Sequence, residues 1–283
     1  MPSYQTPTPI DLAVNVQVGE MQVVAGDRTE TVVTVSATNP AKAGNRRGAE
    51  ETKVDFDGTR LTITGPRPRL AWIGAGPDDS VDVLVELPTG SRFTGEIAMG
   101  AVRTIGRLGA TRIKSSMGDV EVDATGDLWL RAGHGSVSVG TADGTAEITA
   151  DHGQIRIGTV TDDAILKAAH GSIQVERAAG DLEAKLSYGD LEVTTALGSV
   201  AAKTAYGSIR LREVSSGSIQ IESGYGQVTV GISPGVPAWL DLSSKSGHVR
   251  NQLDGDRGPT GSEQAVAVRA RTQAGDIHIQ RTR

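Results

Sequence analysis

The chain has no cysteine among its 283 residues, and only 3% of them are aromatic. The missing thiols exclude a disulfide framework and every thiolate metal site. Two Phe, three Trp and four Tyr cannot fill a core of the usual ring-rich kind. The interior must instead be built from Val, Ile, Leu and Ala in a regular arrangement. Long apolar runs are missing too: no stretch approaches the roughly 18 consecutive apolar residues of a transmembrane helix. The opening MPSYQTPTPIDLAVNVQVGE has neither a basic region nor an unbroken apolar run, so it does not read as a signal peptide. The expectation is a cytoplasmic chain with no membrane partner. A net charge of −6 argues against a nucleic-acid partner. No P-loop and no dinucleotide fingerprint occur, so no cofactor is expected.

What the chain has in quantity is glycine, 36 in all, and much of it is periodic. One position carries Met99, Met117, His134, His152, His170, Tyr188, Tyr206 and Tyr225, and each is followed by glycine. The successive spacings are 18, 17, 18, 18, 18, 18 and 19. So steady a period marks one supersecondary unit stacked on copies of itself. After each glycine comes a short alternating segment, such as Gly118-Asp-Val-Glu-Val122, Gly153-Gln-Ile-Arg-Ile157 or Gly189-Asp-Leu-Glu-Val193. Half a period later a second series follows, including Gly126-Asp-Leu-Trp-Leu130 and Gly180-Asp-Leu-Glu-Ala184. A strand therefore begins about every nine residues, leaving no room for a helix between strands. The spacing predicts four-residue strands joined by four- or five-residue turns. Stacked parallel strands of this kind give an all-β fold, a parallel β-solenoid (β-helix) with about 18 residues per coil.

The pleat assigns the faces. Val120, Val122, Ile155, Ile157, Ile173, Val175, Leu191 and Val193 should point inward, opposed by Leu128, Leu130, Ala146, Ile148, Ala164, Leu166, Leu182 and Ala184. Ahead of the repeats, residues 8–37 alternate apolar and polar as half-buried strands. Ala41–Lys53 is polar and reads as a solvated loop, Asp57-Gly58 as a hairpin turn. Gly65–Pro77, which holds Trp72, is a Pro/Gly-rich passage. The organisation expected is an N-terminal β-strand cap over 1–95 and solenoid repeats with a C-terminal cap over 96–283, as one continuous domain. The loop Asp254–Ser262 and the strand Gly275–Ile279 are expected to close the C-terminal end.

The candidate sites are few. His134, His152 and His170, about 4.8 Å apart on neighbouring coils, are of the residue type that binds zinc, nickel or copper. The ladder passes from Met to His to Tyr, however, and Met and Tyr would be poor partners for a common ion. A stacked corner ladder is the preferred reading, and no metal is assigned. Tyr188, Tyr206 and Tyr225 form a strip that could meet a sugar or a protein. Trp129 and Ile165 fall on the outer face of the second wall, as a possible interaction surface. Asp119 and Glu121 lie four coils from Asp190 and Glu192, about 19 Å, too far apart for glycoside hydrolysis. Gly231-Ile-Ser233-Pro-Gly235 matches G-x-S-x-G, but Pro234 and Pro237 follow where a nucleophile elbow needs a helix. No catalytic residue is assigned, and the chain is not expected to be an enzyme.

Four elements carry a family resemblance: Val18–Asp27, Asp57–Ile63, Val83–Ser91, and the closing Trp239-Leu240-Asp241-Leu242 followed by Gly275-Asp276-Ile277. In these the chain resembles the bacterial β-strand-repeat "putative adhesin" domains of unknown function, related to head-GIN-type repeats. The resemblance spans nearly the whole chain and implies the solenoid fold. The expected function is a non-enzymatic scaffold presenting side-chain ladders to a protein or glycan. Two further readings are a carbohydrate-binding or processing solenoid, and an end-to-end self-assembling filament, a homo-oligomer through the solenoid ends.

Overall fold

A computed structural model describes residues 2–66, 79–253 and 265–282. Trp72 and the loop 254–262 lie outside the described residues. The chain divides into two compact units, Met1–Val139 and Gly140–Arg283, and strands dominate both.

The first unit contains β1 (Ser3–Gln5), β2 (Asp11–Val18), β3 (Met21–Gly26), β4 (Glu30–Ala37), α1 (Ala43–Glu51), β5 (Lys53–Phe56), β6 (Arg60–Thr64) and β7 (Val81–Pro88). It continues with β8 (Arg92–Met99), β9 (Val102–Arg107), β10 (Thr111–Met117), β11 (Val120–Thr125) and β12 (Leu128–His134), and β13 (Val137–Ala142) spans the division. Its two sheets run β1-β4-β7-β3-β9-β11 and β12-β10-β8-β2-β6-β5. Parallel pairing already joins β2 to β8 and β3 to β9, so residues 1–95 contribute coils as well as the antiparallel pairs β1·β4, β4·β7 and β5·β6.

The second unit contains β14 (Ala146–His152), β15 (Ile155–Val160), β16 (Ala164–His170), β17 (Ile173–Ala178), β18 (Leu182–Tyr188), β19 (Leu191–Ala196) and β20 (Val200–Tyr206). Then come β21 (Ile209–Val214), β22 (Ser218–Tyr225), β23 (Val228–Ile232), β24 (Ala238–Ser246), β25 (Val249–Gln252), β26 (Val266–Ala274) and β27 (Ile277–Arg281). Its sheets run β15-β17-β19-β21-β23-β27-β25 and β14-β16-β18-β20-β22-β26-β24. Every pair is parallel and one coil apart, except where the chain doubles back at its C-terminal end. The fold is the β-solenoid that the repeat implies.

The strands are longer than the spacing predicts. β14 has seven residues and β15 six, so only Gly153-Gln154 and residues 161–163 are left as turns. Two strands complete each coil. The extension has a plain cause: Ala150 and His152 stay in register with Ala168 and His170, so their backbone groups remain hydrogen-bonded up to the corner instead of needing other partners. Inward residues form continuous aliphatic columns. Ile155, Ile173, Leu191, Ile209, Val228 and Ile277 follow one another on one wall, and all are buried. Ala164, Leu182, Val200, Ile219 and Val268 face them from the other, also buried. Each fully buried aliphatic side chain contributes roughly 1.5–3 kcal/mol.

Two expectations are corrected. Ala41–Lys53 is not a loop: Ala43–Glu51 is a helix, with Gly44, Asn45 and Gly48 buried against the sheet. Its buried face is two glycines and an asparagine, so no apolar stripe announces it. Glycine allows the approach instead, since a Cβ on Gly48 would lie 3.0 Å from the Val81 side chain. The Asn45 amide oxygen accepts from the Asn39 N–H at 3.1 Å, and the Arg46 guanidinium donates to the Pro40 carbonyl at 2.6 Å. The second correction concerns Gly275–Ile279. It does not close the stack, because β27 lies between β23 and β25 and β26 lies between β22 and β24. The last strands of the chain are interior, and β24–β25 form the edge. Sequence explains the choice. β26 and β27 bury Val266, Val268, Ala270, Ile277 and Ile279, whereas the position of β25 in register with Ile279 is Asn251, an amide that only an open edge can keep hydrated.

Aspartates tie the turns of successive coils together. Carboxylate oxygens of Asp119, Asp163, Asp181, Asp190 and Asp276 accept backbone N–H groups of Ser136, Asp181, Ser199, Ser208 and His248 at 2.7–2.9 Å. The His248 N–H holds the Asp276 carboxyl below its ordinary value. In the β5–β6 hairpin the Arg60 and Thr59 N–H groups do the same for Asp57. A carboxylate whose pKa falls on folding adds stability that is present above its unfolded value and lost as pH drops through the folded one. The melting temperature should therefore fall between about pH 5 and about pH 3. Asp57→Asn should blunt that fall, read by circular dichroism melts across the range.

Candidate functional site: a ring ladder on one corner

In the second unit the repeat position places five rings in one column. The parallel registers pair His152 with His170, His170 with Tyr188, Tyr188 with Tyr206, and Tyr206 with Tyr225. Ring centroids lie 4.9, 5.0, 5.1 and 5.0 Å apart, and the planes are within 8° of parallel. That interval is the strand spacing of a sheet, so the backbone sets the stack. The register ends on Ala274 and then Ser246. In the first unit the same position holds Met99, Met117 and His134 in register.

The rings stand clear of their surroundings. Tyr188, Tyr206 and Tyr225 are 51%, 48% and 56% exposed. The preceding position holds Ala169, Ser187, Ala205 and Gly224, too short to cover them. Beyond the corner glycines lie Gln154, Ser172, Asp190 and Ser208, with the Gln154 amide donating to the Ser172 hydroxyl at 2.6 Å. The chemistry follows from orientation. Each inner ring has both faces against its neighbours, leaving only edges and phenol hydroxyls to solvent. A pyranose stacks on a ring face, and those faces are taken. Imidazole lone pairs lie in the ring plane, so the parallel rings of His152 and His170 aim them side by side. Two metal bonds of about 2.0–2.1 Å cannot converge from that arrangement.

The other predicted positions lie apart from this column. Trp129 is half-buried beneath the Arg112 guanidinium, whose carbon sits 3.8 Å from the ring centroid. Ile165, 38% exposed, lines a shallow depression of about 410 Å³ with Glu183, Ala201 and Gln220. The outward acids are paired, Glu121 with Arg103 at 2.9 Å and Glu192 with Arg212. The Ser233 hydroxyl lies 3.0 Å from the Glu213 carboxylate, and the strand β24 follows it in place of a helix. Trp239 is the most exposed large apolar side chain among the described residues, at 65%. In the sequence Trp239 stands out only within the family resemblance and is not a candidate site residue. Its signal was an indole at a position taken by Ala267 and Ser218 in neighbouring coils. Among the described residues no helix is long and apolar enough to cross a membrane.

Three solved structures cover nearly the same length. A "putative adhesin" from Bacteroides fragilis NCTC 9343 is 12% identical, covers 98% of this chain and 95% of its own, and has a TM-score of 0.39. A "putative cell adhesion protein" from Clostridium sporogenes ATCC 15579 is 11% identical, with 99% and 98% covered and a TM-score of 0.20. A "putative adhesin" from Parabacteroides distasonis ATCC 8503 is 11% identical, with 99% and 95% covered and a TM-score of 0.30. Among curated proteins none matches. The family model for Toastrack DUF4097 matches residues 11–280, and with that span matched the chain belongs to the Toastrack DUF4097 family.

Proposed function

We propose that the protein is a non-enzymatic interaction scaffold whose corner ladder docks a protein partner. The observation that supports this is the face-to-face column from His152 to Tyr225, which offers ring edges and hydroxyls at a fixed interval near 5 Å. Such a strip suits an extended peptide, which can lay apolar side chains against the edges and accept hydrogen bonds from the phenols. It suits a sugar poorly, because only the outer face of Tyr225, in register with Ala274, has no ring against it.

The test is binding of a displayed peptide library and of a glycan array to the whole protein. Wild type is compared with a variant carrying Tyr188→Phe, Tyr206→Phe and Tyr225→Phe, and with Tyr206→Ser. The expected result is peptide selection that weakens in the Phe variant, weakens further in Tyr206→Ser, and a silent glycan array. Peptide binding unchanged in both variants, or retention of a glycan, would reject the reading. Stability is a separate readout. Tyr206→Ser removes two ring contacts of about 0.5–1.5 kcal/mol each, whereas Tyr206→Phe keeps them and should stay within about 0.5 kcal/mol of wild type.

A further inference from the structure

We propose that the edge coil β24–β25 is the contact surface of a two-fold homodimer, in which β24 pairs antiparallel with β24 of a second copy. This goes beyond the ladder reading and does not depend on it. The aliphatic columns of the second unit are buried through Val268 and Ile277, but the next coil is left open. Leu240 and Leu242, in register with Val268 and Ala270, are only half-buried. Val249, in register with Ile277, is 44% exposed. The backbone is open as well. The Val266 N–H donates to the Pro237 carbonyl, so by the alternation of a strand Leu240 and Leu242 turn their own N–H and C=O groups away from β26. A nine-residue strand whose outer edge pairs with no strand among the described residues, and which carries apolar side chains, is a template for another strand.

The occupant follows from what could match it. The segment 254–264, DGDRGPTGSEQ, has one apolar side chain, Pro259, against two leucines and a valine. The edges of the first unit are β1 and β5, with three and four residues, each in an antiparallel pair. They are mismatched in length to β24, which disfavours a head-to-tail contact. A second β24 matches in length, and antiparallel apposition is self-complementary, as a two-fold contact requires. It sets Leu242 against Leu242 of the second copy. It also brings Trp239, near one end of the strand, toward Lys245 of that copy, near the other. Asp241 is already bound to Arg269 and Arg271 at 3.0 and 3.2 Å, so the indole face is the partner left for the ammonium.

Sedimentation of the whole chain over a range of concentrations tests this. The expected result is a species of twice the chain mass, absent in Leu242→Arg and about tenfold weaker in Trp239→Ser. Because Leu242→Arg could disturb its own coil, a second measurement uses the absence of cysteine. Ser243→Cys should be joined to its copy by a short bismaleimide, while Gln174→Cys, on an outer face away from β24, should not. A monomer throughout overturns the proposal. So does an open series of oligomers, or a dimer that survives Leu242→Arg and leaves Ser243→Cys uncrosslinked.

Discussion

Gly189→Ala should unfold the coils around it at a cost of about 4 kcal/mol. Two effects of about 1–3 kcal/mol each combine. Gly189 has φ +143, a conformation that L side chains rarely adopt, and a Cβ built there would lie 2.0 Å from the Gly171 carbonyl oxygen and 2.6 Å from its carbon. The obstacle is backbone of the preceding coil, so no rotamer change relieves it. Gly58→Ala separates the two effects. Gly58 also has positive φ, at +103, but a Cβ there meets nothing within 4 Å, and its cost should be the conformational part alone, about 1–3 kcal/mol. Because coils contact only their neighbours, the damage should be local. Hydrogen exchange should accelerate first at the Gly171, Gly189 and Ile173 amides, which bridge to Tyr188, Tyr206 and Asp190. Urea titration of both variants gives the magnitudes, and equal destabilisation by Gly58→Ala would show that close packing is not what fixes the glycine.

Ile173→Asp should be at least as severe, about 5 kcal/mol or more, while the adjacent Gln174→Asp should fall within about 0.5 kcal/mol of wild type. Ile173 is fully buried between Ile155 and Leu191 in the same column. A carboxylate there has no cation or donor within the column, and its burial without a partner is costly. Gln174 faces out, where its amide oxygen accepts from the Arg156 guanidinium at 3.3 Å, so an aspartate finds a cation already in place. Circular dichroism melts and the soluble yield of the two variants give the comparison. Comparable losses in both would mean that the pleat does not separate interior from surface as described.

Most of the architecture is legible in the sequence, because a β-solenoid writes its period into every coil. Inward positions such as Val120, Ile155 and Leu191, and the repeat position that carries Met99 through Tyr225, are each settled by a spacing. The structure adds what spacing alone does not carry. The length of each strand depends on hydrogen bonds reaching the corner, as at Ala150 and His152, and the two-residue turn is too short to show as a pattern. The helix Ala43–Glu51 escapes notice because its packing uses Gly44 and Gly48 rather than an apolar stripe. The ring column is visible as a repeat, but the fact that decides its chemistry, that the faces are occupied, comes only from the planes. The edge position of β24 does not show in β24 itself, which alternates like β26; only Asn251 of β25 marks that coil as outermost.

The return of β26 and β27 into the interior bears on how the molecule can be assembled. A chain emerging in order meets β24 and β25 before the strands that will separate them from β22 and β23. For that interval the nascent β24 and β25 lack their final neighbours, since both pair only with the returning strands. In the finished unit β26 and β27 are gripped on both sides, by β22 and β23 and by β24 and β25. The outer coil can therefore pair only once β26 and β27 are in place, whatever the earlier coils have already achieved.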